Sequence, residues 1–486
     1  MGRLIPFSAL KRLYQSSPGW LQRAYASIPF PVRAGRVYRE TLRDIEASEF
    51  LPPEALTQLQ EERLDRLFRH ARASVPFYRV AFDQLGPSRV SLGGSRNPLD
   101  VLRELPLISK TDLRSRRDEF ISRDWRVGAA FKVNTGGSTG TPFAFLKNND
   151  LYPIELAHVA MQWRRVGYTP GDPKITLRGQ MFANRPVDRR WQYNPIYNEL
   201  VLSSYHLDAE TLLHSLREIA RFRPRFLHGY PSAIMTFLKV ASENGLPLPG
   251  SVEAILCASE PLYEFQRAYM QRVLGCAAFS FYGQTEGAVL AGECEHSSEH
   301  HFCPTYGILE LVDEAGQPIT VPGIEGEIVG TSLNNRAMPF IRYRTGDRGI
   351  LAASSTCICG RSFARLTRVT GRTQNVIVTR TGTRVSATAL IFGQHFQAFE
   401  RILGMQLVQE TAGQLTLRIV RHPNFSERDQ AELQTKIAGA VDGALRVCFE
   451  YVERLPAGPN GKTPFVIQPP ELQSDGVSTV VQRRAA

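Results

Sequence analysis

Apolar residues recur at helical spacing from Pro53 to Ser74. Leu56, Leu64, Leu67 and Ala71 fall on one face, and Pro76 lies just past the end. The signal returns over DAETLLHSLREIARF: Asp208 is placed to cap the start, Leu212, Leu213, Leu216 and Ile219 form the stripe, and Pro224 stops it. Between such segments lie short β-type runs, among them Phe226–His228, Ala254–Cys257, Ala278–Phe281 and Ile308–Val312. Helix and strand alternate, which predicts an α/β fold. Residues 326–351 read mainly as β, in GEIVGTSL and FIRYRTGDRGI. Past about residue 371 the pattern starts afresh, with β-rich VIVTRTGTRV, a helix near Glu427–Ala440 and a last strand near Val447–Val452. The expected organisation is a large body, residues 1–370, and a small α+β domain, residues 371–486. Residues 1–50 are basic and aromatic-rich, broken by Pro18, Pro29 and Pro31. They predict short amphipathic helices lying on the body or on a membrane surface.

A chain of 486 residues is too long for one ordinary core, which agrees with this division. No uninterrupted apolar run reaches the length of about 18 residues that a spanning helix needs. The apolar run in MGRLIPFSALKRLY is too short for a secretory signal, so a cytoplasmic protein is expected. The net charge of +11 comes from 58 Lys and Arg against 47 Asp and Glu, with Arg185, Arg189 and Arg190 as one basic stretch. Such a surface attracts nucleic acid, anionic lipid or phosphorylated cofactors. No nucleic-acid module accompanies it, so a nucleic-acid partner is not expected. The seven cysteines, an odd number in a large chain, argue against a disulfide framework.

Four segments carry chemistry. In Val133-Asn-Thr-Gly-Gly-Ser-Thr-Gly-Thr-Pro142, Gly136, Gly137 and Gly140 allow tight turning and close backbone approach to a ligand. Thr135, Ser138, Thr139 and Thr141 add hydroxyl donors, a composition suited to a phosphate tail. No Gly-Lys-Ser/Thr follows at the spacing of a Walker A loop. The second segment is Phe281-Tyr-Gly-Gln-Thr-Glu-Gly287, after an apolar run, where α/β sheets place ligands. Tyr282 offers a flat face for a base, Thr285 a hydroxyl, and Glu286 a hard oxygen for Mg²⁺. In the third, Tyr343-Arg-Thr-Gly-Asp347, an acid on a Gly turn can accept both hydroxyls of a ribose. In the fourth, Pro459-Asn-Gly-Lys-Thr463, a lysine on a Gly-flexed loop can carry a point charge into a site. Taken singly, each also reads as an ordinary polar loop or turn.

Their order resembles the adenylate-forming superfamily: acyl-CoA synthetases, peptide-synthetase adenylation domains and luciferases. Leu67-Phe-Arg-His-Ala-Arg-Ala-Ser-Val-Pro-Phe-Tyr78, Leu105-Pro-Leu-Ile-Ser-Lys-Thr-Asp112, His228-Gly-Tyr-Pro-Ser232 and Ala337-Met-Pro-Phe-Ile-Arg-Tyr-Arg-Thr-Gly-Asp347 look like the phenylacetate–CoA ligase branch, especially its members linked to capsular polysaccharide biosynthesis. The resemblance implies a multi-sheet body with a mobile C-terminal lid. Thr135 to Thr141 would hold the β- and γ-phosphates of ATP. Ser259, Glu260 and Pro261 would match the adenine-side segment, and Tyr282, in Tyr282-Gly283-Gln284, would stack on adenine. Thr285 would touch the α-phosphate, Glu286 would ligate Mg²⁺, and Asp347 would bind the ribose. Arg372 would sit near the ribose at the hinge, and Lys462 would bridge the substrate carboxylate and the α-phosphate.

The family hinge is usually Gly-Arg-x-Asp-Asp, and here it reads Gly371-Arg-Thr-Gln374-Asn375. The hinge carboxylates are absent, which puts the usual lid rotation in question. The branch also implies a Cys₃His zinc site, with Cys294, His301, Cys357 and Cys359 at its positions; His300 is the alternative imidazole and Cys303 a fifth candidate. The expected substrate is a carboxylic acid, with Phe and Tyr abundance pointing to an aryl acid. The expected acceptor is CoA, with an amine or a hydroxyl on a sugar or polymer as the alternative. A non-catalytic nucleotide-binding scaffold is the third reading, and retention of Lys462, Glu286 and Asp347 argues against it. Neither the acid nor the oligomeric state is legible.

Overall fold

The computed structural model describes residues 18–86, 96–125, 128–135, 143–178, 186–204, 207–353, 357–372, 376–382, 384–392, 396–441, 443–456 and 463–473. The chain divides into two compact units, one of residues 1–172, 195–198 and 279–369, the other of residues 173–194, 199–278 and 370–486.

In the first unit, the predicted helix forms over Pro53–Ser74. Proline occupies its first turn, where no N–H is needed, and Pro76 restarts the chain as the helix Pro76–Leu85. These helices bury Leu64, Phe68, Tyr78 and Phe82 against Phe120, Phe145, Met338 and Phe340. The Tyr78 hydroxyl donates to Pro339 O at 3.0 Å and accepts from Ile341 N at 3.0 Å, so its polar tip is satisfied inside the core. A mainly antiparallel sheet runs in the order Gly307–Val312, Glu325–Ser332, Tyr343–Leu351, Arg365–Arg372, His300–Phe302, Leu290–Glu293, Ala277–Gly283. A separate hairpin pairs Ala130–Thr135 with Phe143–Asn148.

The second unit holds strands in the order Ala254–Ala258, Phe226–Gly229, Lys174–Arg178, Glu199–Ser203, Trp191–Asn194, parallel except for the last. Every residue of Ala254–Ala258 and Glu199–Ser203 is buried, as expected of parallel strands covered on both faces. The helix Ala209–Phe222 starts where predicted: the Asp208 carboxylate accepts from Thr211 N at 2.8 Å. Leu213, assigned to its buried stripe, is instead 57% exposed, one helical position off the face that Leu212 and Ile219 bury.

The C-terminal part of this unit carries a four-stranded sheet in the order Arg446–Tyr451, Gln414–Arg421, Ile402–Val408, Val466–Ile467, with the helix Glu427–Gly439. Leu407, Leu415, Leu417, Leu433 and Ile437 form its core. The strand expected to be last, Arg446–Tyr451, is followed by Val466–Ile467, two residues too short to carry a period-2 signal. No helix among the described residues is long and apolar enough to cross a membrane.

Candidate active site and metal centre

In the first unit, two motif segments meet through their side chains. The strand Ala277–Gly283 delivers Tyr282, and the chain then turns through Gln284–Gly287. The Tyr282 hydroxyl donates to Asp347 Oδ2 at 2.8 Å and accepts from Gln284 Nε2 at 2.9 Å. Burial, and then the Asp347 charge, push the phenol well above its ordinary pKa, so it stays a donor. A second bond runs the other way: the Tyr343 hydroxyl donates to Glu286 Oε1 at 3.0 Å. The two acids proposed above for ribose and Mg²⁺ are thus each held by a tyrosine of the other's segment. Thr285 is exposed beside them.

Asp347 sits in the continuous strand Tyr343–Leu351, and no turn closes there. The register with the neighbouring strand shifts between Glu327 and Val329, and Gly346 has φ +73°. Gly346 N donates to Glu327 Oε1 at 3.2 Å, the Arg344 guanidinium to Glu327 Oε2 at 2.8 Å, and Asp347 N to Thr345 Oγ1 at 3.0 Å. The irregularity is a β-bulge that re-aims one side chain, and it leaves Asp347 only 8% exposed.

Of the glycine-rich segment, Thr135 ends a strand opposite Phe143, and Gly136–Pro142 lie outside the described residues. Beyond it stands a residue the motif reading missed. Lys147 is buried, with Nζ 3.4 Å from Glu155 Oε2. It also backs the Gln284–Gly287 turn: a Cβ on Gly287, whose φ is +71°, would lie 3.6 Å from Lys147 Nζ and 3.1 Å from Tyr306 Oη. The available signal was periodicity, since Phe145 and Lys147 stand two apart in one strand and so share a face, and Phe145 is buried.

In the second unit, the strand Ala254–Ala258 ends at Ser259, which adopts φ +68° and turns the chain. Glu260 follows, then Pro261. The Glu260 carboxylate accepts from Ser232 N at 3.1 Å and Ser232 Oγ at 3.0 Å, in the first turn of the helix Pro231–Glu243, where anions are favoured. It also accepts from Thr463 N at 3.2 Å. Phe465 packs on Tyr263, with ring centroids 5.2 Å apart. Lys462, and the hinge residues Gln374 and Asn375, lie outside the described residues; Arg372 ends the strand Arg365–Arg372. His228 is paired through Nδ1 to Leu256 O at 2.8 Å. Burial, then the positive charges of Arg178 and Lys174, lower its pKa to about 4, so the imidazole is neutral near pH 7.

The four residues of the expected zinc site converge in the first unit. Cys294 Sγ and Cys357 Sγ are 3.6 Å apart, Cys359 Sγ and His301 Nε2 are 3.7 Å apart, and all four ligand atoms lie within 4.8 Å of one another. A tetrahedral zinc with Zn–S near 2.3 Å and Zn–N near 2.0–2.1 Å places its ligand atoms roughly 3.5–3.8 Å apart, the spacing of the Cys294–Cys357 and Cys359–His301 pairs, so the donor set suits that ion. His301, not its neighbour His300, points into it, because adjacent strand residues face opposite sides. Cys303 stands apart, its sulfur accepting from Gln162 Nε2 at 3.2 Å. Burial, then Arg165, Arg361 and Arg365, hold the His301 imidazole down at about 3 and therefore neutral. Gly360, with φ +84°, turns the Cys357–Cys359 knuckle, and the buried Arg361 beside it pairs with Glu49 at 2.8 Å and Glu295 at 2.7 Å.

The family described as CapK C-terminal domain matches residues 377–469. Protein CapK of Staphylococcus aureus is 22% identical over 463 residues, covering 94% of this chain and 99% of CapK. Phenylacetate-coenzyme A ligase of Thermus thermophilus is 29% identical over 427 residues, covering 84% of this chain and 90% of the relative. Among solved structures, 2-hydroxyisobutyryl-CoA ligase in the postadenylation state, in complex with R3-HIB-AMP, shares the fold. It has a TM-score of 0.68 and 17% identity, covering 87% of this chain and 92% of that one.

Proposed function

We propose, from the premise that the chain belongs to the adenylate-forming ligases related to CapK and phenylacetate-coenzyme A ligase, that it activates a carboxylic acid as an acyl-adenylate and passes the acyl group to CoA. The observation that carries this reading is the reciprocal pairing of Tyr282 with Asp347 and of Tyr343 with Glu286. It fixes, side by side, an aromatic face, an acid suited to ribose hydroxyls and an acid suited to a hard cation.

In this reading a carboxylate oxygen attacks the α-phosphorus of ATP, the bond to the bridging oxygen breaks, and pyrophosphate leaves. Two anions must meet, and the obstacle is their repulsion. Glu286 would hold Mg²⁺, which when bound offsets phosphate charge. Lys462 would sit between the carboxylate and the α-phosphate, where charge shifts in the transition state. The Thr135–Thr141 segment would donate to the outer phosphates, and Thr285 to the α-phosphate. Tyr282 would stack on adenine, Asp347 and Arg372 would take the ribose side, and Ser259-Glu260-Pro261 would take the adenine side. The CoA thiolate then attacks the acyl carbon and AMP leaves. Residues 371–486 would form the lid that carries Lys462, with Gln374 and Asn375 altering its hinge. Cys294, His301, Cys357 and Cys359 would hold one structural zinc, pinning the strands beyond the Tyr282–Gly287 segment.

The test is pyrophosphate release from ATP and Mg²⁺ with a panel of aryl and alkyl carboxylic acids, with and without CoA. Acid-dependent release and an acyl-CoA product are expected. Acid-dependent release with no acyl-CoA would move the acceptor to an amine or hydroxyl. No release with any acid would sink the ligase reading in favour of a non-catalytic nucleotide binder.

A further inference from the structure

The first described helix, Gly19–Ala26, has a largely exposed apolar side, where the Arg33 guanidinium lies 5.8 Å from the Tyr25 ring. Trp20 is 67% exposed, and Leu21, Tyr25 and Ile28 are exposed as well. At about 100° per residue, Trp20, Leu21, Ala24 and Tyr25 span an arc of about 140° on one side. Gln22 and Ala26, on the other side, are half-buried. Val32, in the next short helix Phe30–Arg33, is 55% exposed. This is not the loose fringe of a tail. Phe30 is buried 5.4 Å from the Tyr38 ring and 6.2 Å from the Tyr197 ring. Arg33 donates to Ile28 O at 2.7 Å and to Ile196 O at 2.8 Å. The segment is anchored, yet Trp20 and Leu21 are largely exposed, which a soluble surface normally avoids over a contiguous area.

The sequence up to residue 39 carries charge of one sign, and the first acid after it, Glu40, pairs with Arg36 at 2.6 Å. Residues 1–39 contain Arg3, Lys11, Arg12, Arg23, Arg33, Arg36 and Arg39, and no Asp or Glu. An apolar face rich in Trp and Tyr, in a stretch of sequence with a net positive charge, has the chemistry of a helix lying in the headgroup layer of an anionic bilayer. A second copy of the chain fits worse, because two such surfaces would bring like charges together. We propose that Gly19–Ala26 and Val32 form a peripheral docking surface for anionic lipid. The rings of Trp20 and Tyr25 enter the interface, and the positive charge of the N-terminal stretch favours anionic headgroups. Through it the chain is held at a membrane surface without spanning it.

The experiment uses the full chain and extruded vesicles of phosphatidylcholine, alone or with about 30% phosphatidylserine, scored by co-sedimentation. The parent should bind the anionic vesicles at least about tenfold more tightly than the neutral ones, and the preference should shrink in high salt. The variant carrying Trp20→Glu and Leu21→Glu should lose at least about tenfold in binding to the anionic vesicles, with its melting temperature unchanged. Equal binding to both vesicle types would overturn the proposal, as would a variant that binds like the parent. A lowered melting temperature in the variant would show that the chain's own residues cover this face, and would overturn it too. So would a parent that dimerises through this face and ignores vesicles. None of these outcomes depends on whether the chain is a ligase.

Discussion

Replacing Tyr282 by Phe separates two roles that one side chain combines. The ring, and with it any stacking on a base, is kept. The hydroxyl is lost, and with it the donor to Asp347 Oδ2 at 2.8 Å and the acceptor for Gln284 Nε2 at 2.9 Å. Asp347 is only 8% exposed, so water is poorly placed to replace the missing donor. A hydrogen bond to a charged group contributes about 1.5–3 kcal/mol, which corresponds to roughly ten- to a hundredfold in affinity for a ligand that depends on the carboxylate's position. If Asp347 receives the ribose, Tyr282→Phe should raise the KM for ATP within that range and leave the KM for the acid near the parent's. Tyr282→Leu, which also removes the ring, should lose more. The assay is acid-dependent ATP–pyrophosphate exchange over a range of ATP concentrations, with thermal melting to show that both variants fold. An unchanged KM for ATP in Tyr282→Phe would refute the argument that the phenol aims Asp347, and would leave only the ring.

Purified without chelators, the protein should contain close to one zinc per chain, and Cys359→Ser should lose it. That variant should lose at least about 2 kcal/mol of stability, since ligand binding here is coupled to folding; absence of zinc in the parent by metal analysis would sink the site. Lys462→Ala should lose the adenylation half-reaction by on the order of a hundredfold, the scale seen when a preorganised charge-stabilising group is removed. It should still transfer the acyl group from a supplied acyl-adenylate, and equal losses in both steps would make Lys462 structural. Glu260→Gln should depress adenylation in the same direction, because an amide cannot accept from Ser232 N, Ser232 Oγ and Thr463 N as a carboxylate does; a variant with parental kcat would break the link between Glu260 and the lysine loop. Asp429, with Arg401 as its main stabiliser and Ser426 N and Oγ adding to it against the effect of burial, is held down at about 2. Its contribution, on the order of 2 kcal/mol, is fully present above its ordinary 3.8 and is lost as pH falls through about 2. Urea unfolding should show Asp429→Asn less stable than the parent at pH 7, with the gap closing below about pH 3.

What could be read from the sequence follows a physical division. Local signals carried through: the stripe ending at Pro76 gave the helix Pro53–Ser74, and Asp208 capped the helix it preceded, because caps, proline breaks and periodicity act within a few residues. Residue types that suit a ligand were also legible, as with Cys294, His301, Cys357 and Cys359, whose ligand atoms converge. Partnership across the chain was not. Tyr282 and Asp347 are 65 positions apart and Tyr343 and Glu286 are 57 apart, and nothing local to either tyrosine announces an acid to hold. The bulge at Gly346 had the same origin. A glycine beside an acid reads as a turn until the register of the neighbouring strand is known, and that register depends on Glu327 binding Gly346 N and Arg344. Lys147 shows the converse case. Its position two residues after Phe145 assigns it to the buried face, and a buried ammonium needs nearby compensation. The partner, Glu155, and the glycine turn that Lys147 backs, at Gly287, both appear only in three dimensions. In this chain the motifs name the groups that would face the substrate. Some of the groups behind them, such as Glu327 and Lys147, lie outside every motif, and substitutions there should change KM or kcat without altering one.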